Sequence, residues 1–188
     1  MKNNLITSIL MTAITTLLLG FAYPLAVTGV AQAFFPEKAN GQLIRFNGQV
    51  VGSRIIGQPF TARGYFHSRP SAAGSGYDAA NSGGSNLGPT NQKLIERVNA
   101  DTAQLHKENP TAPIPVDLVT TSGSGLDPDI SPASALFQVP RVAKERGIDQ
   151  GRLQQLVTEH IRPRQFGLLG EPSVNVLELN LALTNKTP

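Results

Sequence analysis

The 188-residue sequence contains no cysteine. With no thiol to acylate, a lipid-modified lipoprotein start is excluded, and so are disulfide staples and thiolate metal sites. The same absence fits any compartment. Charge is missing from one long stretch, Asn3 to Pro36, where no Asp, Glu, Lys or Arg occurs. Also absent is any Lys/Arg run interleaved with aromatics, which argues against nucleic-acid binding. No internal repeat is present.

What fills the uncharged stretch is Leu, Ile, Phe and Ala. Leu5 to Phe21 alone holds nine Leu, Ile or Phe residues. At a rise of about 1.5 Å per residue, about 20 apolar residues cross the hydrocarbon core. Nine such residues favour insertion by about 3–5 kcal/mol before Thr and Gly subtract some. A cleaved signal peptide is the rival reading, with Lys2 as its basic end and Ala31-Gln32-Ala33 as a small-residue cleavage site. The apolar run is too long for that, so residues 1–36 are expected to stay as a transmembrane anchor. Lys2 on one side against Lys38 and Arg45 on the other is too small a count to orient it. Pro24 is expected to kink or end the first helical segment. Ala22 with Ala26, and Gly29 with Ala33, stand one turn apart, the spacing that admits a neighbouring helix. Thr12, Thr15 and Thr16 suit interhelical hydrogen bonds. Small residues are also simply common in membrane helices.

Residues 37–188 suffice for one domain with a core. Gly48 to Phe60 reads as extended, and Tyr65 to Pro89 as a long irregular loop pinned by Tyr65, Phe66, Tyr77 and Leu87. A helix capped near Thr90 or Asn91 is expected to bury the stripe Leu94, Ile95, Val98 and Leu105, and stops at Asn109-Pro110. Ser131 caps a second helix with Pro132 at its first position. Pro140 is expected to break it and start a third segment closed at Gly147. Asp149 caps the next helix, whose Leu153, Leu156, Val157 and Ile161 face the core. Val174 to Leu183 reads as a final strand, with Leu177, Leu179, Leu181 and Leu183 alternating against polar residues. The fold class is a single N-terminal transmembrane helix plus a mixed α/β (α+β) soluble domain.

Enzyme signatures are missing: no phosphate-binding Gly-x-x-x-x-Gly-Lys loop, no Gly-x-Ser-x-Gly elbow and no Asp-Lys-Thr-Gly. His67, His106 and His160 are widely spaced, and no metal site is expected. Ser82-Gly83-Gly84-Ser85-Asn86 could form an anion-binding nest. Ser122-Gly123-Ser124-Gly125 with Asp127-Pro128-Asp129 could do likewise or hold a cation. Each could equally be a tight turn with Gly or Asn at positive φ.

Several blocks, in order, are more specific. Tyr65-Phe66-His67-Ser68-Arg69-Pro70-Ser71 and Ser82 to Asn91 resemble the C subunit of the bacterial Kdp potassium-transporting P-type ATPase, the KdpC family. So do Asp117 to Pro128, Gln138-Val139-Pro140-Arg141-Val142-Ala143, Gly167-Leu168-Leu169-Gly170-Glu171-Pro172 and Val174-Asn175-Val176-Leu177. The likeness covers essentially the whole chain. Asp129 stands where the family usually shows His, and Ser173 where it usually shows Arg.

The resemblance implies a single-span inner-membrane protein, amino terminus in the cytoplasm and residues 37–188 periplasmic. It implies a non-catalytic subunit beside a channel-like A subunit, an ATP-hydrolysing B subunit and a small F subunit. No tightly bound cofactor is implied; ATP binds the complex, and potassium is the transported ion. Two roles attach to the family. One raises the B subunit's affinity for ATP, sometimes through a Ser-Gly-Gly sequence that would here be Ser82, Gly83, Gly84 and Ser85. The other is assembly, with the domain over the external potassium entrance. Asp127, Asp129 and Glu171 could line that entrance, although Asp127 could equally fix the turn before Pro128. A different class is a membrane-tethered cell-envelope enzyme or binding protein acting alone, with perturbed acid/base groups around His67 or Glu171.

Overall fold

Lys2–Phe34, 33 residues, is one helix long and apolar enough to cross a membrane. It belongs to a computed structural model that describes residues 2–186. The chain divides into two compact units, Met1–Ile44 and Arg45–Pro188. In the first, α1 (Lys2–Thr15) and α2 (Tyr23–Phe34) are joined by a wide π-type turn, Thr16–Ala22. Pro24 lacks the N–H that would reach back one turn, and the wide turn just before it absorbs that loss. The Tyr23 N–H accordingly bonds to Leu18 O. The segment is therefore continuous through Pro24. Thr15 Oγ1 donates to Met11 O at 2.7 Å and Ser8 Oγ to Asn4 O at 2.8 Å. These hydroxyls need no partner helix, as apolar surroundings require. A short turn of helix, α3 (Pro36–Ala39), closes the unit, and Gln32 and Asn40 exchange amide hydrogen bonds at 3.2 and 3.3 Å.

Strands β1 (Leu43–Phe46) and β2 (Gln49–Ser53) follow, with Asn47 and Gly48 at φ 50° and 80° turning the chain between them. Extension was expected as far as Phe60, but it stops at Ser53. Gly57 instead donates its N–H to Leu126 O at 2.8 Å. A Cβ there would lie 2.6 Å from Asp127 O, so the chain can make this approach only at glycine.

The domain's sheet is antiparallel and small, in the order β3 (Asp129–Ile130), β5 (Ser173–Asn175), β4 (Ile161–Arg162). Asp129 pairs with Asn175 and Ile130 with Val174 on one side; Ile161 pairs with Val174 on the other. Helices α5 (Pro132–Arg146), α6 (Gln150–Glu159) and α7 (Val176–Lys186) contribute most of the core. Val139, Val142, Leu153, Val157, Val174, Leu179 and Leu183 are fully buried together with Phe66 from the long loop. Each such side chain stabilises the fold by about 1.5–3 kcal/mol.

Three expectations about the domain's helices are corrected. The final segment is a strand only to Asn175; from Val176 it is helix α7. Its most deeply buried residues, Val176, Leu179, Asn180 and Leu183, have helical spacing, and Leu, Ala and Glu favour helix over strand. Asn175 Oδ1 accepts the Glu178 N–H at 3.1 Å, so Asn175-x-x-Glu178 was a readable cap. Second, Pro140 does not break α5, which continues to Gly147 at φ 65°. The carbonyl it leaves unpaired belongs to Leu136, whose position on the helix is 41% exposed, while Val139, Val142 and Ala143 pack inward. Third, on α4 (Gln92–Glu108), capped by Asn91 as expected, Leu94, Val98 and Leu105 are only half-buried and Ile95 is exposed. This helix is held largely by polar contacts: Arg97 to Val119 O at 3.1 Å and, just beyond its end, Asn109 to Phe137 O at 3.0 Å.

Candidate functional site

The loop from Tyr65 to Pro89 is ordered because buried polar side chains grip its backbone. Asn180 on α7 accepts the Phe66 N–H and donates to Phe66 O, both at 2.9 Å. Gln138 on α5 does the same for His67, accepting at 2.7 Å and donating at 3.1 Å. Each amide thus replaces the neighbouring strand that a buried extended segment would otherwise need. Arg141, 4% exposed at its side chain, pairs with Glu108 at 3.0 Å. It also donates to Arg63 O, to Tyr65 O at 3.0 Å and to Gln138 Oε1 at 2.6 Å. Arg146 adds a bond to Gly64 O at 2.6 Å and lies 4.4 Å over the Tyr65 ring. Burial, and then the positive charge of Arg141, hold the His67 imidazole below its usual range.

Farther along, the two Ser/Gly clusters meet. Ser82 Oγ and the Gly83 N–H both donate to Ser124 O, at 3.0 and 2.8 Å. Ser71 Oγ donates to Gly125 O at 2.6 Å and accepts from the N–H of Ala73 and Tyr77. Gly125 has φ 66°, and a Cβ there would stand 2.6 Å from Ala73 N and 2.7 Å from Gly83 O. Only glycine fits that position. Gly83 and Gly84 do not take positive φ, unlike Asn86 at 52° and Gly125. Residues 82–85 therefore lack the alternating handedness of an anion nest, and the Gly83 amide is already engaged.

The three candidate carboxylates each face an arginine. Asp127 accepts from Arg69 at 3.0 Å and from the Asp129 N–H at 3.0 Å, which makes it the turn-former before Pro128. Asp129 lies 3.5 Å from Arg162, and Glu171 lies 2.6 Å from Arg164. Asp117, the first residue of a matched block but not singled out there, braces the Ser131 cap of α5. It accepts from the Ser131 N–H (2.7 Å), Ser131 Oγ (3.0 Å) and Ser134 Oγ (2.5 Å). Burial opposes its charge, but the Ser134 and Ser131 hydrogen bonds outweigh it and hold the carboxyl below its usual range. Among the described residues no three His, Asp or Glu side chains converge on a common point. Ala22, Ala26, Gly29 and Ala33 lie exposed along α2 and the turn before it, with open space beyond Gly29.

A family model described as the K+-transporting ATPase c chain, KdpC, matches residues 5–185. The chain belongs to the KdpC family. The potassium-transporting ATPase KdpC subunit of Koribacter versatilis is 64% identical over 188 residues, covering 100% of this chain and 97% of that protein. The subunit of the same name from Rhodopseudomonas palustris is 61% identical, covering 89% and 90% of the two chains, and that from Caulobacter vibrioides is 59% identical, covering 92% and 88%.

Asp129 and Ser173, expected from the resemblance to depart from the family's usual residues, are in contact. Ser173 Oγ donates to Asp129 Oδ2 at 3.0 Å, and Asn175 Nδ2 donates to Asp129 Oδ1 at 3.0 Å. Both lie on the β3–β5 pair. Gln138 and Arg141 lay inside a matched KdpC block without being singled out, and Asn180 looked like the polar position of a strand. Their signal was present only as polar residues among apolar helix positions.

Proposed function

We propose that the chain is a non-catalytic accessory subunit of an ATP-driven potassium uptake complex, working beside channel-like A, ATP-hydrolysing B and small F subunits. Its helix would anchor it in the inner membrane with the amino terminus in the cytoplasm. The domain beyond residue 36 would stand outside, stabilise the assembly and cover the external potassium entrance. Family membership over residues 5–185 supports the subunit role. The choice between the two family mechanisms rests on one observation: Ser82 and Gly83 spend their hydroxyl and amide on Ser124 O. A segment tied in this way is a folding contact, and in the proposed topology about 30 Å of hydrocarbon separates it from cytoplasmic ATP. Any effect on ATP affinity would then be transmitted through the helices, by biasing the pump between states. A photoreactive ATP analogue on the intact complex is expected to label another subunit and leave Ser82–Ser85 unlabelled. Label on those residues reverses the choice.

A further inference from the structure

Between Pro163 and Pro172 the chain passes from β4 to β5 through a closed hairpin. Gln165 and Leu169 exchange both backbone hydrogen bonds at 2.9 Å, and the N–H groups of Gly167 and Leu168 bond to Arg164 O and Gln165 O. At its tip Phe166, Leu168 and Leu169 are 84%, 80% and 60% exposed. Scattered apolar residues at a surface are ordinary, but three large ones on one ordered tip mark an interaction site. Phe166 also has φ 55°. That conformation is strained for an aromatic residue. Tyr77 shares it at φ 57° but gains a hydroxyl bond to Arg69 O. The Phe166 ring, largely exposed, offsets none of that cost by burial in the domain.

The surroundings of the tip select the occupant. A lipid headgroup surface is met by free cations beside the apolar residues. Here Arg164 is paired with Glu171 at 2.6 Å, and Arg162 with Glu178 at 3.1 Å and Asp129 at 3.5 Å. The amides of Gln165, Gly167, Leu168 and Leu169 bond within the hairpin, which lowers the cost of bringing the tip into a dry site. We infer that Phe166, Leu168 and Leu169 form an anchor that inserts into an uncharged, apolar socket on a membrane-protein partner. The inference rests on the subunit reading above and names the surface that would make the contact.

The test uses the full-length chain, purified in mild detergent from cells that make the complex. Phe166→Asn is expected to cut the recovered membrane partners by about tenfold or more. Its unfolding temperature is expected to be no lower than wild type, since Asn accepts positive φ more readily. The double variant Leu168→Ser/Leu169→Ser is expected to lose partners likewise. A photoreactive phenylalanine analogue at position 166 is expected to yield an adduct with a partner protein. Full recovery of partners by both variants, or an adduct with lipid alone, overturns the anchor while leaving the subunit reading intact. Wild-type chain that emerges without partners overturns both.

Discussion

Asn180 shows how much one buried side chain can decide. It satisfies both backbone groups of Phe66, which is itself fully buried. Asn180→Leu keeps the volume but strands an N–H and a C=O, and is expected to cost about 3 kcal/mol in chemical denaturation. Asp117 gives a pH signature. Its folded value lies below the unfolded one, so the stability it contributes is present above about pH 4 and lost as pH falls through the folded value. Asp117→Asn is expected to be less stable than wild type at neutral pH, with the gap closing in acid. A gap that persists unchanged in acid would mean that the hydrogen bonds count and the charge does not.

At the scale of elements, α5 carries a testable cost. Pro140 withholds a hydrogen bond from Leu136 O inside an otherwise continuous helix. Pro140→Ala restores it, and is expected to raise stability by about 2 kcal/mol, after allowing for a looser unfolded chain. Thermal unfolding of the two proteins decides. The same helix shows what local reading can achieve. Ser131 with Pro132, Asp149, Asn91 and Gly147 act as the caps their chemistry announces. Pro140 and α7 were misread in different ways. Proline rules describe an isolated helix, and an every-second-residue Leu pattern ignores which face meets the core. At Pro140 burial against α6 and the sheet outweighed the local preference, whereas at α7 the cap and the helix-favouring residues already agreed with the helix.

The whole molecule separates an apolar helix from a domain with its own core. All members of that core fall after Arg45. Residues 45–188 made alone are therefore expected to unfold in one cooperative transition, monitored by circular dichroism. Neutralising Asp127, Asp129 and Glu171 together is expected to leave the apparent potassium affinity of transport unchanged at low salt, because each carboxylate already faces an arginine. A fall in affinity would restore these three as a cation-gathering surface.

Composition and order alone determined the membrane-length helix, the caps that start the domain's helices, and membership of the KdpC family. Those features are local, or are written in a run of residues, and need no distant partner. Tertiary structure alone decided that the Ser/Gly clusters face each other and that Asp129 meets Ser173. It also left Phe166 strained and bare on a hairpin tip. Such outcomes depend on groups tens of residues apart competing for the same space and the same hydrogen bonds, and no local pattern carries that competition.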